Sequence, residues 1–250
     1  MSGHSKWATI KRKKAANDAK RSNQYAKMLR AVEVAAREGG SGDVAANMTL
    51  ASAVEKAKSF SVPNDNIERA IKRGTGGDAA GAKYEEIAYE GYAVGGIALI
   101  VEALTDNRNR TAQEVRHAFT RNGGNLGETG STAWMFSRKG VVVVEKALAP
   151  GEERLLELAL EGGADDLVDA ESSWDIISEP QAFKRVKEAL EGAGVEVFSA
   201  EISMVPGSTI PVDGGEAKQV LNLIEALEEL EDVQNVYANF DIPEDVMASL

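Results

Sequence analysis

Apolar residues in the first third of the chain recur at helical spacing. Tyr25, Met28, Leu29, Val32 and Ala36 follow the i, i+3, i+4, i+7, i+11 rhythm of one helix face. At about 100° per residue, Lys20, Lys27, Arg30 and Arg37 fall roughly opposite that stripe. The spacing therefore predicts a helix with one core face and one basic face, ended by Gly39-Gly40. A second helix is predicted from about Ala45 to Phe60, with Pro63 as the break. A third is predicted over Asn66–Arg73, capped by Asn64 or Asp65 and closed by Gly74. With Asp65 as the cap, Glu68 stands three residues on, as in a capping box. Residues 74–81, GTGGDAAG, read as a flexible linker. They lack the GK[ST] signature and no strand leads into them, which excludes a phosphate-cradling P-loop.

Beyond the linker the pattern becomes α/β-like. Tyr84–Ala93 and Gly96–Leu104 read as a strand pair about a turn at Val94-Gly95. Thr111–Asn122 reads as a helix burying Ala112, Val115, Ala118 and Phe119, followed by a glycine-rich loop, Gly123–Ser131. Thr132–Phe136 and Val141–Glu145 are expected to form a hairpin around Arg138–Gly140. Helix Glu152–Glu161, strand Trp174–Ser178, helix Gln181–Glu191 and strand Glu196–Val205 follow. This β-β-α-β-α-β order fits a small sheet with helices on one face. Strand Ser208–Val212, helix Glu216–Leu230 and strand Val233–Phe240 complete the chain. The fold class is multidomain α+β, with a helical bundle at the amino end.

Charge changes this picture most. Residues 1–37 hold ten Lys or Arg against two acids, a net +8 on a chain whose net charge is −12. Residues 1–80 carry +7, residues 81–140 balance, and residues 141–250 carry −19. A basic arm on an acidic body implies a polyanionic partner that meets the arm and is repelled by the distal half. The 250 residues contain no Cys, which excludes disulfides, thiolate metal sites and Cys nucleophiles. No apolar run approaches the ~20 residues of a membrane span, and no apolar signal core opens the chain. A cytoplasmic protein with no membrane partner is expected.

The candidate binding residues follow from the same charge map. Lys11, Arg12, Lys13 and Lys14, with Lys6, Lys20, Arg21 and Lys27, suit sequence-independent contact with phosphates. Trp7 lies among them, placed either to stack on an exposed base or to anchor the arm to the bundle. His4 offers a hydrogen bond to phosphate or ribose, unless it belongs to a free tail. Further on, Asp106 or Asn107 is expected to cap a helix on which Arg110, Glu114, His117 and Arg121 share a face. With Arg108, Arg110 and Arg121 form either an arginine-lined groove for a phosphate backbone or a row of surface ion pairs. The glycines from Gly123 to Gly130 form either an anion-binding nest of N–H groups or tight turns with positive φ. The acidic cluster Glu225, Glu228, Glu229, Glu231 and Asp232 lacks His and reads as a solvated face more readily than as a metal site. With two His and no G-x-S-x-G, the sequence supports no catalytic triad or zinc enzyme. No catalytic residue, metal or cofactor is assigned.

Five segments then carry a resemblance: GHSKWATIKRKKAANDAKR, VPNDNIERAIKRG, YEGYAVGGIALIVEALTDNRNRT, VRHAFTRNGGNLGETGS and ANFDIP. Together they make the whole chain resemble the YebC/PmpR family, which includes the mitochondrial translational activator of cytochrome c oxidase. The resemblance implies three domains: a basic helical one over 1–76, a discontinuous α+β one from 82–132 and 207–242, and an inserted ferredoxin-like one over 133–206. It implies a non-enzymatic regulator of gene expression that binds DNA to control transcription. The alternative it implies is a ribosome-associated translation factor that contacts rRNA or tRNA and relieves stalling at proline-rich stretches. Oligomeric state is not fixed by the sequence, and a monomer is the simpler reading.

Overall fold

The computed structural model describes residues 18–76 and 84–242, with side chains from residue 23 onward. The expected linker therefore lies mostly outside the described residues, as do His4, Lys6, Trp7 and Lys11 to Lys14.

The amino-terminal domain is a bundle of three helices: α1 (Asp18–Glu38), α2 (Met48–Ser59) and α3 (Asn64–Thr75). Its core contains Met28, Val32, Ala36, Leu50, Val54, Ile67 and Ala70, with Tyr25 and Leu29 packed at the edge. The predicted stripe on α1 is thus the buried face. Asn47 caps α2 by accepting the Leu50 N–H at 3.0 Å, and its Nδ2 donates to the Ala35 carbonyl at 2.8 Å, tying the α1–α2 connection. The third helix begins earlier than expected, at Asn64, with Pro63 in the N-cap position and no side-chain cap. The proposed Asp65 capping box does not form, because Asp65 is already inside the first turn. Gly74 does not end that helix either. It is buried within it, and a methyl there would overlap the Glu33 carbonyl oxygen and the Ala36 side chain, so glycine serves close α1–α3 contact.

The first α+β domain holds a four-stranded antiparallel sheet, in the order β3-β1-β2-β9. Its strands are β1 (Glu85–Tyr92), β2 (Ala98–Thr105), β3 (Asn125–Leu126) and β9 (Val233–Ala238). β1 and β2 pair from Glu85↔Thr105 to Tyr92↔Ala98 across the turn at Val94–Gly96, and β2 pairs with β9 through a bulge at Glu102/Ala103. Helices α4 (Arg108–Arg121) and α7 (Gly214–Glu229) cover one face, burying Leu99, Val101, Val115, Phe119, Leu223 and Val236. Asp213 caps α7 through the N–H groups of Gly215 and Glu216. A short parallel pair, β8 (Ile210–Pro211) with β10 (Phe240–Asp241), closes the end.

The second α+β domain lies between β3 and β8 in the chain. It runs β4 (Phe136–Glu145), α5 (Glu152–Gly162), β5 (Asp166–Asp169), β6 (Ser173–Ser178), α6 (Phe183–Gly192) and β7 (Ser199–Pro206). Its antiparallel sheet has the order β5-β6-β4-β7, the ferredoxin-like arrangement expected. The expected hairpin at 132–145 is corrected. β4 passes straight through Arg138–Gly140 as one strand, paired with β6 and β7 on either side. A Cβ on Gly140 would stand 2.7 Å from Phe183 Cβ, so this glycine lets α6 approach the sheet rather than turning the chain. The strand thereby lost is replaced by β5, whose sequence DLVD is too short and polar to announce itself. Ile100 and Tyr237, on the far face of the first sheet, pack with Phe136 and Met204 and join the two α+β domains.

Among the described residues no helix is long and apolar enough to cross a membrane.

Candidate nucleic-acid interface

Two basic surfaces converge on one buried carboxylate, that of Asp232, in the turn between α7 and β9. Its Oδ2 receives the hydroxyls of Thr105 at 3.0 Å and Thr111 at 2.7 Å, and Arg110 Nη2 at 2.7 Å. Its Oδ1 receives Arg30 Nη1 from α1 at 2.8 Å. Burial by itself would raise the pKa of Asp232. The hydrogen bonds from Arg110, Thr111 and Thr105 outweigh it and hold the carboxyl below the ordinary range, so it stays ionised. The hydrogen bond to Asp232 and its charge, helped by Asp106, raise the Arg110 pKa still further.

The local sequence explains why Arg110 is there. Thr105 ends β2, and its hydroxyl oxygen accepts the Asn107 N–H at 2.9 Å. Asn107 then caps α4 by accepting the Arg110 N–H at 3.1 Å, as one of the two expected candidates. Arg110 consequently leaves the first turn toward Asp232 and also meets Asp106 at 3.0 Å. Of the predicted face on α4, Arg110 is thus engaged internally and 45 % exposed. Arg108, His117 and Arg121 are exposed, and no described carboxylate pairs with their side chains. Arg116, which the sequence reading passed over, lies exposed on the same helix. Its signal was position alone, four residues before Thr120 and five before Arg121.

The basic face of α1 is used differently. Lys27 is buried and its Nζ donates to the Glu228 carbonyl. Asn23 Nδ2 donates to the Glu229 carbonyl at 3.0 Å. Arg30 also pairs with Glu231 and lies 5.3 Å from the Tyr84 ring centroid. Arg37 pairs with Glu33 at 2.9 Å. Cations therefore sit at the carbonyl end of α7, which has no basic residue in its own last turn. The acidic cluster read as a solvated face is, at Glu228, Glu229, Glu231 and Asp232, the seat of the bundle. Among the described residues no group of His, Asp and Glu is arranged to hold a metal. Lys20 and Arg21 lie on α1, amino-terminal to the described side chains.

The glycine loop settles both of its readings together. Gly123 and Gly130 take φ values of 75° and 88°, so turns are made. A nest of N–H groups forms as well, and the anion in it is the protein's own Glu90. The N–H groups of Gly130, Thr132 and Ala133 reach its carboxylate at 2.7, 2.6 and 2.7 Å. Burial works to raise the pKa of Glu90, but these N–H bonds win and lower it. The loop so fixed presents Trp134, 75 % exposed, whose Nε1–H donates to the Ser131 carbonyl at 3.1 Å. No sequence signal separated this Trp from a core aromatic.

A cleft of about 460 Å³ opens where the three domains meet, lined among others by Lys56, Glu38, Glu86, Glu102, Arg138 and Asn235. Lys56 Nζ reaches Asn235 Oδ1 at 3.0 Å across it.

Comparison with known proteins covers nearly the whole chain. The model of the TACO1/YebC protein N-terminal domain matches residues 5–77, and that of the TACO1/YebC second and third domain matches residues 84–240. A probable transcriptional regulatory protein of Rubrobacter xylanophilus is 56 % identical over 250 residues, covering 100 % of this chain and 99 % of its own. One of Pelotomaculum thermopropionicum is 54 % identical, covering 97 % and 99 %. A crystal structure of a conserved hypothetical protein from Aquifex aeolicus superimposes with a TM-score of 0.79 at 46 % identity, covering 90 % of this chain and 92 % of that one.

Proposed function

This chain belongs to the TACO1/YebC family, and we propose that it is a non-enzymatic, DNA-binding regulator of transcription acting in the cytoplasm. The observation that carries this reading is charge segregation. A net +8 over residues 1–37 on a chain of net −12 gives one end of the molecule affinity for a polyanion and turns the other end away from it. The names of its relatives, probable transcriptional regulatory proteins, support duplex DNA as that polyanion. His4, Lys6, Trp7, Lys11, Arg12, Lys13, Lys14, Lys20 and Arg21 make the first contact, and Arg108 and Arg121 on α4 extend it. Binding of this kind is dominated by phosphates, so it is strong at low salt and weak in sequence preference. No chemical step is assigned to any residue.

The test is fluorescence anisotropy on a mixed-sequence DNA duplex across a salt series. Wild type is compared with a variant carrying alanine at Lys11, Arg12, Lys13 and Lys14. The expected result is weaker binding by the variant and a log–log salt slope shallower by about 3–4, since each neutralised phosphate contributes about 0.9. An unchanged slope removes the arm from the interface. Sedimentation with ribosomes in the same buffers provides the counter-test. Co-migration by a protein that fails to bind duplex DNA overturns the transcriptional reading in favour of an RNA target.

A further inference from the structure

We propose that Asn23, Lys27 and Arg30 form a phosphate-binding stripe on α1, and that the turn after α7 fills this stripe as an internal substitute for nucleic acid. The proposal rests on the nucleic-acid reading above and names a second site for it. The three residues stand at i, i+4 and i+7, one face of the helix. Each donates to oxygen: Asn23 to the Glu229 carbonyl, Lys27 to the Glu228 carbonyl, and Arg30 to the carboxylates of Glu231 and Asp232. The turn thus presents carbonyl oxygens at the negative end of a helix dipole beside two carboxylates. A row of backbone phosphates presents the same chemistry, anionic oxygens a few ångströms apart.

Three features make the turn exchangeable. The ties between the stripe and the turn are side-chain hydrogen bonds and ion pairs. Polar ties of that kind exchange more readily than an apolar core. The cleft of about 460 Å³ already opens beside the contact, between α1, α2 and the first sheet. Finally, Asp232 keeps Arg110, Thr105 and Thr111 on its Oδ2 when Arg30 leaves its Oδ1, so undocking does not strand a buried charge. DNA drawn in by the arm therefore competes with the turn for the stripe, and the bundle swings off the body as binding completes.

The chain has no Cys, so a pair can be introduced cleanly. Cysteines replacing Asn23 and Glu229 are joined with a short, thiol-cleavable bis-methanethiosulfonate linker in the full-length protein. Binding to a mixed-sequence DNA duplex is then read by anisotropy across a salt series, before and after cleavage with reductant. The linked protein is expected to bind at least about tenfold more weakly, with a salt slope shallower by about 2 for the two missing cations, and cleavage restores both. The Glu231→Gln variant, which loosens the turn without touching Asp232, is expected to bind about twofold more tightly than wild type. Equal binding by linked and cleaved protein overturns the stripe while leaving the arm as the DNA site. Failure of the cleaved protein and of wild type to bind DNA overturns the underlying reading, and the stripe with it.

Discussion

Helix α1 and helix α4 both carry arginines at helical spacing, yet α1 turns Lys27 and Arg30 into the protein while α4 turns Arg108 and Arg121 to solvent. The two helices meet at Asp232, one oxygen for each. The difference lies in what stands opposite. α1 faces the carbonyl end of a helix that has no basic residue of its own in its last turn, followed by Glu231 and Asp232. α4 is held to the sheet by Val115 and Phe119, and no described carboxylate pairs with its Arg108 or Arg121. A count of cations gives the reach of a surface toward phosphate, but the acids packed against it decide which cations are free to act.

The strongest way to break the comparison is to remove the shared partner. Asp232→Ala leaves Arg30 and Arg110 without their buried acceptor and takes from the Thr105 hydroxyl its acceptor, while Thr111 keeps the Asn107 carbonyl. Breaking a buried, hydrogen-bonded pair costs roughly 3–5 kcal/mol, read as a lower urea midpoint. A loss below about 1 kcal/mol would show that the carboxylate is incidental to docking. Glu90 offers the matched control, since its acceptors serve backbone N–H groups of one loop rather than side chains of two domains. Glu90→Gln keeps the shape but removes the charge and one acceptor, and about 2–3 kcal/mol is expected to go. Unlike Asp232→Ala, it should leave the bundle docked, which small-angle scattering of the two variants would distinguish.

Acid sharpens the same contrast. Both carboxyls have folded-state pKa values below their ordinary ones, so unfolding takes up protons at low pH. Their contribution is complete above the ordinary carboxyl pKa, about 4, and is lost as pH falls through the lower folded value. Urea midpoints measured from pH 6 downward should therefore drop steeply, and Asp232→Asn should flatten part of that acid limb. An unchanged limb would mean that Asp232 carries no pH-linked stability.

Much of this was legible in the sequence, and what was missed has physical causes. The stripe Tyr25, Met28, Leu29, Val32, Ala36 is local information, because a helix brings i, i+3 and i+4 together whatever lies around it. The Asn107 cap is local too. Gly74 and Gly140 were misread as punctuation because glycine marks a turn and a close approach with the same letter. Only the Glu33 carbonyl and Phe183, 41 and 43 residues away, tell the two apart. The fate of Lys27 and Arg30 was likewise invisible, since their partners lie about two hundred residues on, at 228–232. The glycine loop shows the same limit. Its nest was one of two readings, and the Glu90 that fills it comes from a strand whose alternation gave no hint of a buried acid.

The smallest effect on folding is the most telling for the interface. Arg108 and Arg121 are exposed and free of described acid partners, so replacing both with alanine should move stability by no more than about 0.5 kcal/mol. If they touch phosphate, the double variant should nevertheless lose duplex affinity and show a salt slope shallower by about 1.8, at about 0.9 per contact. Replacing Arg110 alone should do the reverse, lowering stability more than it changes the slope, because its guanidinium is already bound to Asp232 and Asp106. Thermal melts and anisotropy on the same two proteins decide the matter. If Arg110 sets the slope and the outer pair does not, DNA reaches the first turn of α4 by displacing Asp232, and the outer face of α4 is surface only.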